Sequence, residues 1–225
     1  MGRPLVIAHR GASAYEHENS LAAFRKALDQ RADGVELDVH ATADGDLVVY
    51  HDPDVGGRPL ARTIRAEARR HLLPNGEPIP TLAEALALIT PSAIAFIELK
   101  TLPAEADAAL LALLDRAPRP EHCHVHSFDH RIIRRLTAQR PGLPAGVLSG
   151  SYTLDPARQV REAGATTLWQ HQEMVDGPLA ALVHEAGFRL YAWTADRPDR
   201  MKRLLADGVD GICTNRPDVA REVVG

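Results

Sequence analysis

Eight short runs rich in β-branched and aliphatic residues recur along the chain with helix-patterned segments between them, and this alternation limits the fold more than any other feature. The runs are Leu5 to His9, Gly34 to His40, Ala93 to Lys100, His122 to Ser127, Gly146 to Ser149, Ala165 to Gln170, Phe188 to Trp193 and Val209 to Thr214. Strand then helix, repeated, is the signal of a parallel sheet. Four helix exits carry a small or polar residue and then Gly, at Asp33-Gly34, Ala163-Gly164, Ala186-Gly187 and Asp207-Gly208. Gly there suits the left-handed position that ends a helix without a Cβ clash. Helix entries carry matching marks: Thr81 with Glu84 reads as a capping box, and Pro198 and Pro217 suit first-turn positions.

Eight parallel strands can close into a barrel or lie open as a doubly wound sheet. The placement of polar residues favours closure. An open sheet is covered on both faces, so its strands read as continuous apolar runs. Here Val35, Leu37 and Val39 alternate with Gly34, Glu36 and Asp38, and Ala95, Ile97 and Leu99 alternate with Phe96, Glu98 and Lys100. The apolar set is expected to face the helices and the charged set to enter a barrel mouth. We therefore expect an α/β fold, a (β/α)8 TIM barrel, formed by one domain over residues 1–225. The rhythm breaks once, where a segment rich in Gly, Pro and Arg over residues 52–80 is expected to be a small insertion over the mouth, too short for a core of its own.

Composition excludes several classes. With 26 basic and 30 acidic residues, a formal charge of −4 gives no electrostatic footprint for nucleic acid or anionic lipid. No apolar run approaches the roughly 18 residues of a membrane span, and the N-terminal stretch is too interrupted for a signal segment. Cys123 and Cys213 are the only cysteines and lie in apolar runs, which suits two buried free thiols in a cytoplasmic protein. Nothing in the pattern defines an oligomeric state.

The ends of the first three strands carry His9-Arg10, Glu36 with Asp38, and Glu98 with Lys100. Residues i and i+2 of a strand share a face, so Glu36 and Asp38 project together and Glu98 on a neighbouring strand completes three oxygen donors for a hard cation, Mg²⁺ or Ca²⁺. Internal salt bridges to Arg10 and Lys100 would account for a single Glu-x-Asp pair. Three strands delivering such groups to the C-terminal mouth, where barrel enzymes carry their sites, favour chemistry instead. Arg10 and Lys100 then contact an anion, and His9 and His51 suit proton transfer because imidazole titrates near neutrality. Trp193, His126 and Glu18 are candidates for the substrate pocket. At strand spacing His122, His124 and His126 share a face, and His126 is the one expected to reach the mouth.

In this setting the chain resembles the glycerophosphodiester phosphodiesterases. The matching strings are His9-Arg10-Gly11, Glu18-Asn19-Ser20, Glu36-Leu37-Asp38-Val39, Thr42-Ala43-Asp44-Gly45, His51-Asp52, Ile79-Pro80-Thr81-Leu82, Glu98-Leu99-Lys100, Ser127-Phe128, Trp193-Thr194 and Gly208-Val209-Asp210-Gly211-Ile212. They run in family order from the first strand to the last. The resemblance implies hydrolysis of a small-molecule glycerophosphodiester, such as glycerophosphocholine, to glycerol 3-phosphate and an alcohol. It also implies Glu36, Asp38 and Glu98 as metal ligands, His9 and His51 as the acid/base pair, and Arg10 and Lys100 on the phosphate.

Three positions depart from the family pattern: Ser20 where Thr is usual, His17 where Pro is common and Asn215 where Asp is common. They are expected to touch substrate detail rather than the catalytic groups. The rival readings are a lysophospholipase D-like or cyclising lyase activity on the same scaffold, and a phosphate-binding module without catalysis. A lipid-directed enzyme would want an apolar rim, which the polar cap from Asp54 to Gly76 lacks. An amidohydrolase would need His-x-His on the first strand, where this chain has His9-Arg10.

Overall fold

The structure, a computed structural model, describes residues 2–225. The eight expected strands form as β1 (Leu5–Ala8), β2 (Gly34–Ala41), β3 (Ile94–Thr101), β4 (Cys123–Ser127), β5 (Ala145–Ser149), β6 (Thr167–His171), β7 (Arg189–Trp193) and β8 (Gly211–Thr214). Each pairs in parallel with its neighbours in chain order. β1 closes the ring by pairing with both β8, through Leu5 opposite Gly211, and β2, through Ile7 opposite Gly34. The result is a (β/α)8 barrel.

Helices α1 (Leu21–Asp29), α2 (Leu82–Ile89), α3 (Asp107–Asp115), α4 (His130–Gln139), α5 (Pro156–Glu162), α6 (Gly177–Glu185), α7 (Pro198–Asp207) and α8 (Pro217–Val224) surround it. Their starts follow the local chemistry. Thr81 and Glu84 satisfy each other's backbone N–H groups in a capping box, the Ser20 hydroxyl accepts from the Ala23 N–H, and Pro198 and Pro217 open their helices.

The strand alternation divides the interior into two apolar layers. Val35, Leu37, Val39, Ala95, Ile97 and Leu99 pack outward with Phe24, Leu86, Ile89 and Leu110 of the helices. Ile7, Phe96, Leu148, Trp169, Tyr191 and Cys213 fill the barrel. Large rings inside the barrel need small residues beside them. A Cβ on Gly146 would lie 2.7 Å from the Trp169 ring, and one on Gly34 would overlap the Phe96 ring. Gly34 is therefore a strand residue that admits an aromatic ring rather than a helix stop. The left-handed residue at that exit is Arg31, with φ 58°. The other three exits do use Gly in the left-handed region, at Gly164, Gly187 and Gly208.

After β2 the chain turns back as Leu47–Val49, antiparallel to β2, then forms a hairpin of Asp54–Val55 with Arg58–Pro59 and a short helix at Arg65–Ala68. This segment has a small apolar cluster after all: Val48, Val55, Leu60, Ala68, Leu73 and Ile79 are buried together. That packing, rather than length, holds it beside the mouth. Buried His40 ties it down, since its Nε2 lies 3.1 Å from the His51 carbonyl oxygen and its Nδ1 3.0 Å from the Thr101 hydroxyl. Cys123 and Cys213 are both buried and unpaired.

Candidate active site

The register sets the site. Asp38 lies opposite Glu98, and Glu98 opposite His126, so three consecutive strands place a donor at one level of the barrel. Glu36 comes from one layer deeper on β2 and is also buried. His9, Arg10, Glu36, His51, Glu98, Lys100, His126 and Trp193 line one cavity of about 250 Å³, closed on its apolar side by Phe128, Leu148 and Trp169. Two expected residues are placed differently. Asp38 has no exposed surface and sits behind its cation partners. Glu18 does not line the cavity; both its oxygens accept from Arg10 Nη1 at 2.9 Å.

Arg10 takes a left-handed backbone, φ 54°, and Gly11 after it has φ 84° with no room for a Cβ against Ala23. That turn brings the guanidinium back over β2, with Nε 2.9 Å from Asp38 Oδ2. Lys100 Nζ lies 3.0 Å from Asp38 Oδ1 and 2.7 Å from Glu98 Oε1. Asn19, also left-handed, donates its amide to Asp38 Oδ2 at 2.8 Å and accepts the Asp38 N–H at 3.2 Å. Burial would raise the Asp38 carboxyl, but Lys100, Arg10 and Asn19 outweigh it and hold the group below its ordinary value. Glu36 has no such support. Burial, then the charges of Asp38 and Glu98, push it well above the usual carboxylate range. Burial and Asp38 raise Glu98 as well, against Lys100.

Three buried carboxylates thus face two cations, and Glu18 at the rim adds a further negative charge. Glu36 Oε1 is buried without a hydrogen-bond partner. Donor atoms of Glu36, Glu98 and His126 lie within 4.8 Å of one another. An unsatisfied, mutually repelling set of this kind fits a divalent cation, which would supply the missing charge.

The imidazoles are fixed differently. His9 Nδ1 lies 2.7 Å from Asn215 Oδ1, and the Asn215 amide nitrogen donates to Asp196 Oδ2 at 2.7 Å. The amide orientation is thereby set, Oδ1 accepts the His9 Nδ1–H, and the Nε2 lone pair is left facing Glu36 at 4.0 Å. Burial first, then Arg10, lowers the His9 pKa, so the ring is neutral near pH 7. Asn215 therefore touches a proton-transfer candidate directly, which corrects the expectation that the departures from the pattern spare those groups. The departure from the family's usual Asp to Asn at this position was the available signal. His51 hangs at the mouth edge with Nδ1 2.8 Å from Asp52 Oδ1. His126 stacks on Trp169 with ring centroids 4.3 Å apart and planes 8° apart. Of the other two histidines, His122 lies in the short turn before β4, against the Thr90 and Ala93 carbonyls, and His124 packs edge-on to Phe96.

Buried carboxylates matched to fixed cations, with two imidazoles on one cavity at the C-terminal mouth of a (β/α)8 barrel, define a phosphodiesterase. The pattern of the glycerophosphoryl diester phosphodiesterase family matches residues 9–219, and the chain belongs to that family. It is 32% identical to a glycerophosphodiester phosphodiesterase of Caldanaerobacter subterraneus, over 99% of this chain and 98% of that protein. Among solved structures it is similar to a putative glycerophosphoryl diester phosphodiesterase from Silicibacter pomeroyi, with a TM-score of 0.89, 27% identity and coverage of 99% and 94%. A phosphodiesterase from Oleispira antarctica shares the fold, with a TM-score of 0.90 at 24% identity over 99% and 97% of the two chains. Among the described residues no helix is long and apolar enough to cross a membrane.

Proposed function

We propose that the chain hydrolyses glycerophosphodiesters to glycerol 3-phosphate and an alcohol, with His9 as general base and His51 as general acid. The observation that carries this reading is the Asn215 contact, which presents His9 Nε2 unprotonated inside the cavity. The attacking hydroxyl, from water or the glycerol 2-position, gives its proton to His9 Nε2 as its oxygen bonds to phosphorus; where the 2-hydroxyl attacks, water then opens the cyclic phosphate in a second step to give glycerol 3-phosphate. His51 gives a proton to the leaving alkoxide as the second P–O bond breaks. Lys100 and Arg10 would contact the phosphate; Asp38 pairs with both, Glu98 also with Lys100 and Glu18 also with Arg10. A divalent cation held by Glu36, Asp38 and Glu98 would stabilise charge on the phosphoryl oxygens, and three oxygen donors suit Mg²⁺ or Ca²⁺. The Oleispira antarctica structure is a complex with the product sn-glycerol-3-phosphate, which supports a glycerol phosphate in such a mouth. Two buried free thiols suit a cytoplasmic enzyme.

A second reading is favoured by one observation. Phe128, Tyr152, Leu154 and Met174 are exposed on the loops after β4, β5 and β6, so an apolar rim exists, though not on the polar cap. Such a rim would suit a lysophospholipase D-like activity on lipid-headed diesters. Phosphorus NMR of glycerophosphocholine and lysophosphatidylcholine digests, after chelation and metal add-back, decides between them. Glycerol 3-phosphate formed in a metal-dependent way, with His9→Ala and His51→Ala each slower by about 10² to 10⁴, supports the proposal. A persistent cyclic phosphate would indicate a lyase, and binding without turnover a phosphate-binding module.

A further inference from the structure

His126 stands apart from the groups considered so far. It has 1% of its surface exposed, its Nδ1 has no partner, and its Nε2 lies 3.9 Å from the unpartnered Oε1 of Glu36. That separation is too long for a hydrogen bond and suits two donors facing a shared ion. The ring cannot swing away, because Trp169 is stacked flat against it and Trp169 is itself seated in the space left by Gly146. With nothing bonded to Nδ1, the ring proton can reside there and leave the Nε2 lone pair toward Glu36. Asp38 Oδ1, 3.0 Å from Lys100 Nζ, is likewise buried without a hydrogen-bond partner, whereas Oδ2 accepts from Asn19 and lies 2.9 Å from Arg10 Nε.

We propose that His126 is a further, nitrogen ligand of the cation held by Glu36, Asp38 and Glu98, so that this chain prefers a transition ion such as Mn²⁺ or Co²⁺ over Mg²⁺ or Ca²⁺. The preference follows from donor chemistry: imidazole suits first-row transition ions, whereas Mg²⁺ and Ca²⁺ take oxygen donors. The inference rests on the cation site of the proposed function, but not on the substrate.

The test is made on the full chain, stripped with chelator and reloaded with Mn²⁺ in the absence of substrate. Pulsed electron paramagnetic resonance reads directly whether a ¹⁴N nucleus is bound to Mn²⁺. We expect imidazole ¹⁴N coupling in the wild type, its persistence in His9→Gln and its loss in His126→Gln. By calorimetry, His126→Gln should bind Mn²⁺ and Co²⁺ at least about tenfold more weakly while Mg²⁺ affinity changes little. Absence of ¹⁴N coupling in the wild type, which needs no variant to fold, would overturn the inference, as would loss of the coupling in His9→Gln alone. If the coupling is present and glycerophosphodiesters are not cleaved, the substrate assignment fails and the ligand assignment stands.

Discussion

Asn215 Oδ1 accepts the Nδ1–H of His9 at 2.7 Å, joining β8 to β1 across 206 residues of sequence. Ser13 Oγ donates to the same oxygen at 2.8 Å, and Asp196 receives the Asn215 amide, so the imidazole is oriented by neutral groups rather than by a carboxylate. This sets a pH dependence. His9 must be unprotonated to act as a base, and its pKa lies below the ordinary 6.5, so the acid limb of kcat/KM should fall below pH 6.5. Asn215→Asp places a negative charge on the ring, favours the imidazolium and should move that limb to higher pH. Asn215→Leu should instead lower kcat/KM by about ten- to a hundredfold without moving the limb upward. A profile of Asn215→Asp superimposable on the wild type would remove His9 from the role of base.

Asn19 holds Asp38 through two hydrogen bonds from a left-handed backbone. Asn19→Gly keeps that backbone and removes the side chain, and should cost about 1 to 3 kcal/mol because a buried carboxylate loses a donor. Asn19→Ala should cost about a further 1 to 2 kcal/mol for the backbone conformation. Urea denaturation of the pair separates the two effects, and equal midpoints would show that the backbone is not strained there.

Gly146 is required by Trp169, not by its own backbone, since a Cβ would meet the ring at 2.7 Å. Gly146→Ala should destabilise the fold by about 1 to 3 kcal/mol through overpacking and shift the tryptophan emission. An unchanged melting temperature and spectrum would show that the ring can move aside freely.

His124 supplies a pH test remote from the carboxylates. Burial, with His122 and Arg189 nearby, lowers its pKa to about 4 from 6.5. Below pH 6.5 the unfolded chain takes up a proton that the folded chain refuses. Stability is thus full above that pH and is lost as pH falls toward about 4, at up to about 1.4 kcal/mol per pH unit. His124→Gln should flatten the wild-type dependence across that window when denaturation midpoints are followed from pH 7 to 4, and parallel curves would contradict it.

The barrel was legible because period-two alternation in the runs containing Glu36 and Glu98 separates an outward apolar face from an inward polar one. Glu36, Asp38 and Glu98 could be brought together on paper for the same reason. Register between strands was not legible, since alternation fixes which face a residue occupies but not its height. The level shared by Asp38, Glu98 and His126 therefore emerged from the fold, and His126 could be assigned to the mouth but not to the carboxylates. Gly34 was misread because a glycine after a helix looks the same whether it ends the helix or makes room for Phe96. His40 and Asp196 carried no signal, and Asn19 only as part of a matching string; they act by holding other side chains, and such contacts depend on tertiary placement.

The junction of β1 with β8 has a consequence for how activity is acquired. His9 is made early in synthesis, but the groups that fix its tautomer, Asn215 and through it Asp196, arrive only with the end of the eighth strand and the loop after the seventh. Until that strand docks and the ring of strands shuts, the imidazole has no reason to keep its proton on Nδ1. On the proposed mechanism, with His9 as the base, hydrolytic competence is accordingly a late event, gated by topological completion of the barrel rather than by formation of the carboxylate-bearing half that precedes it.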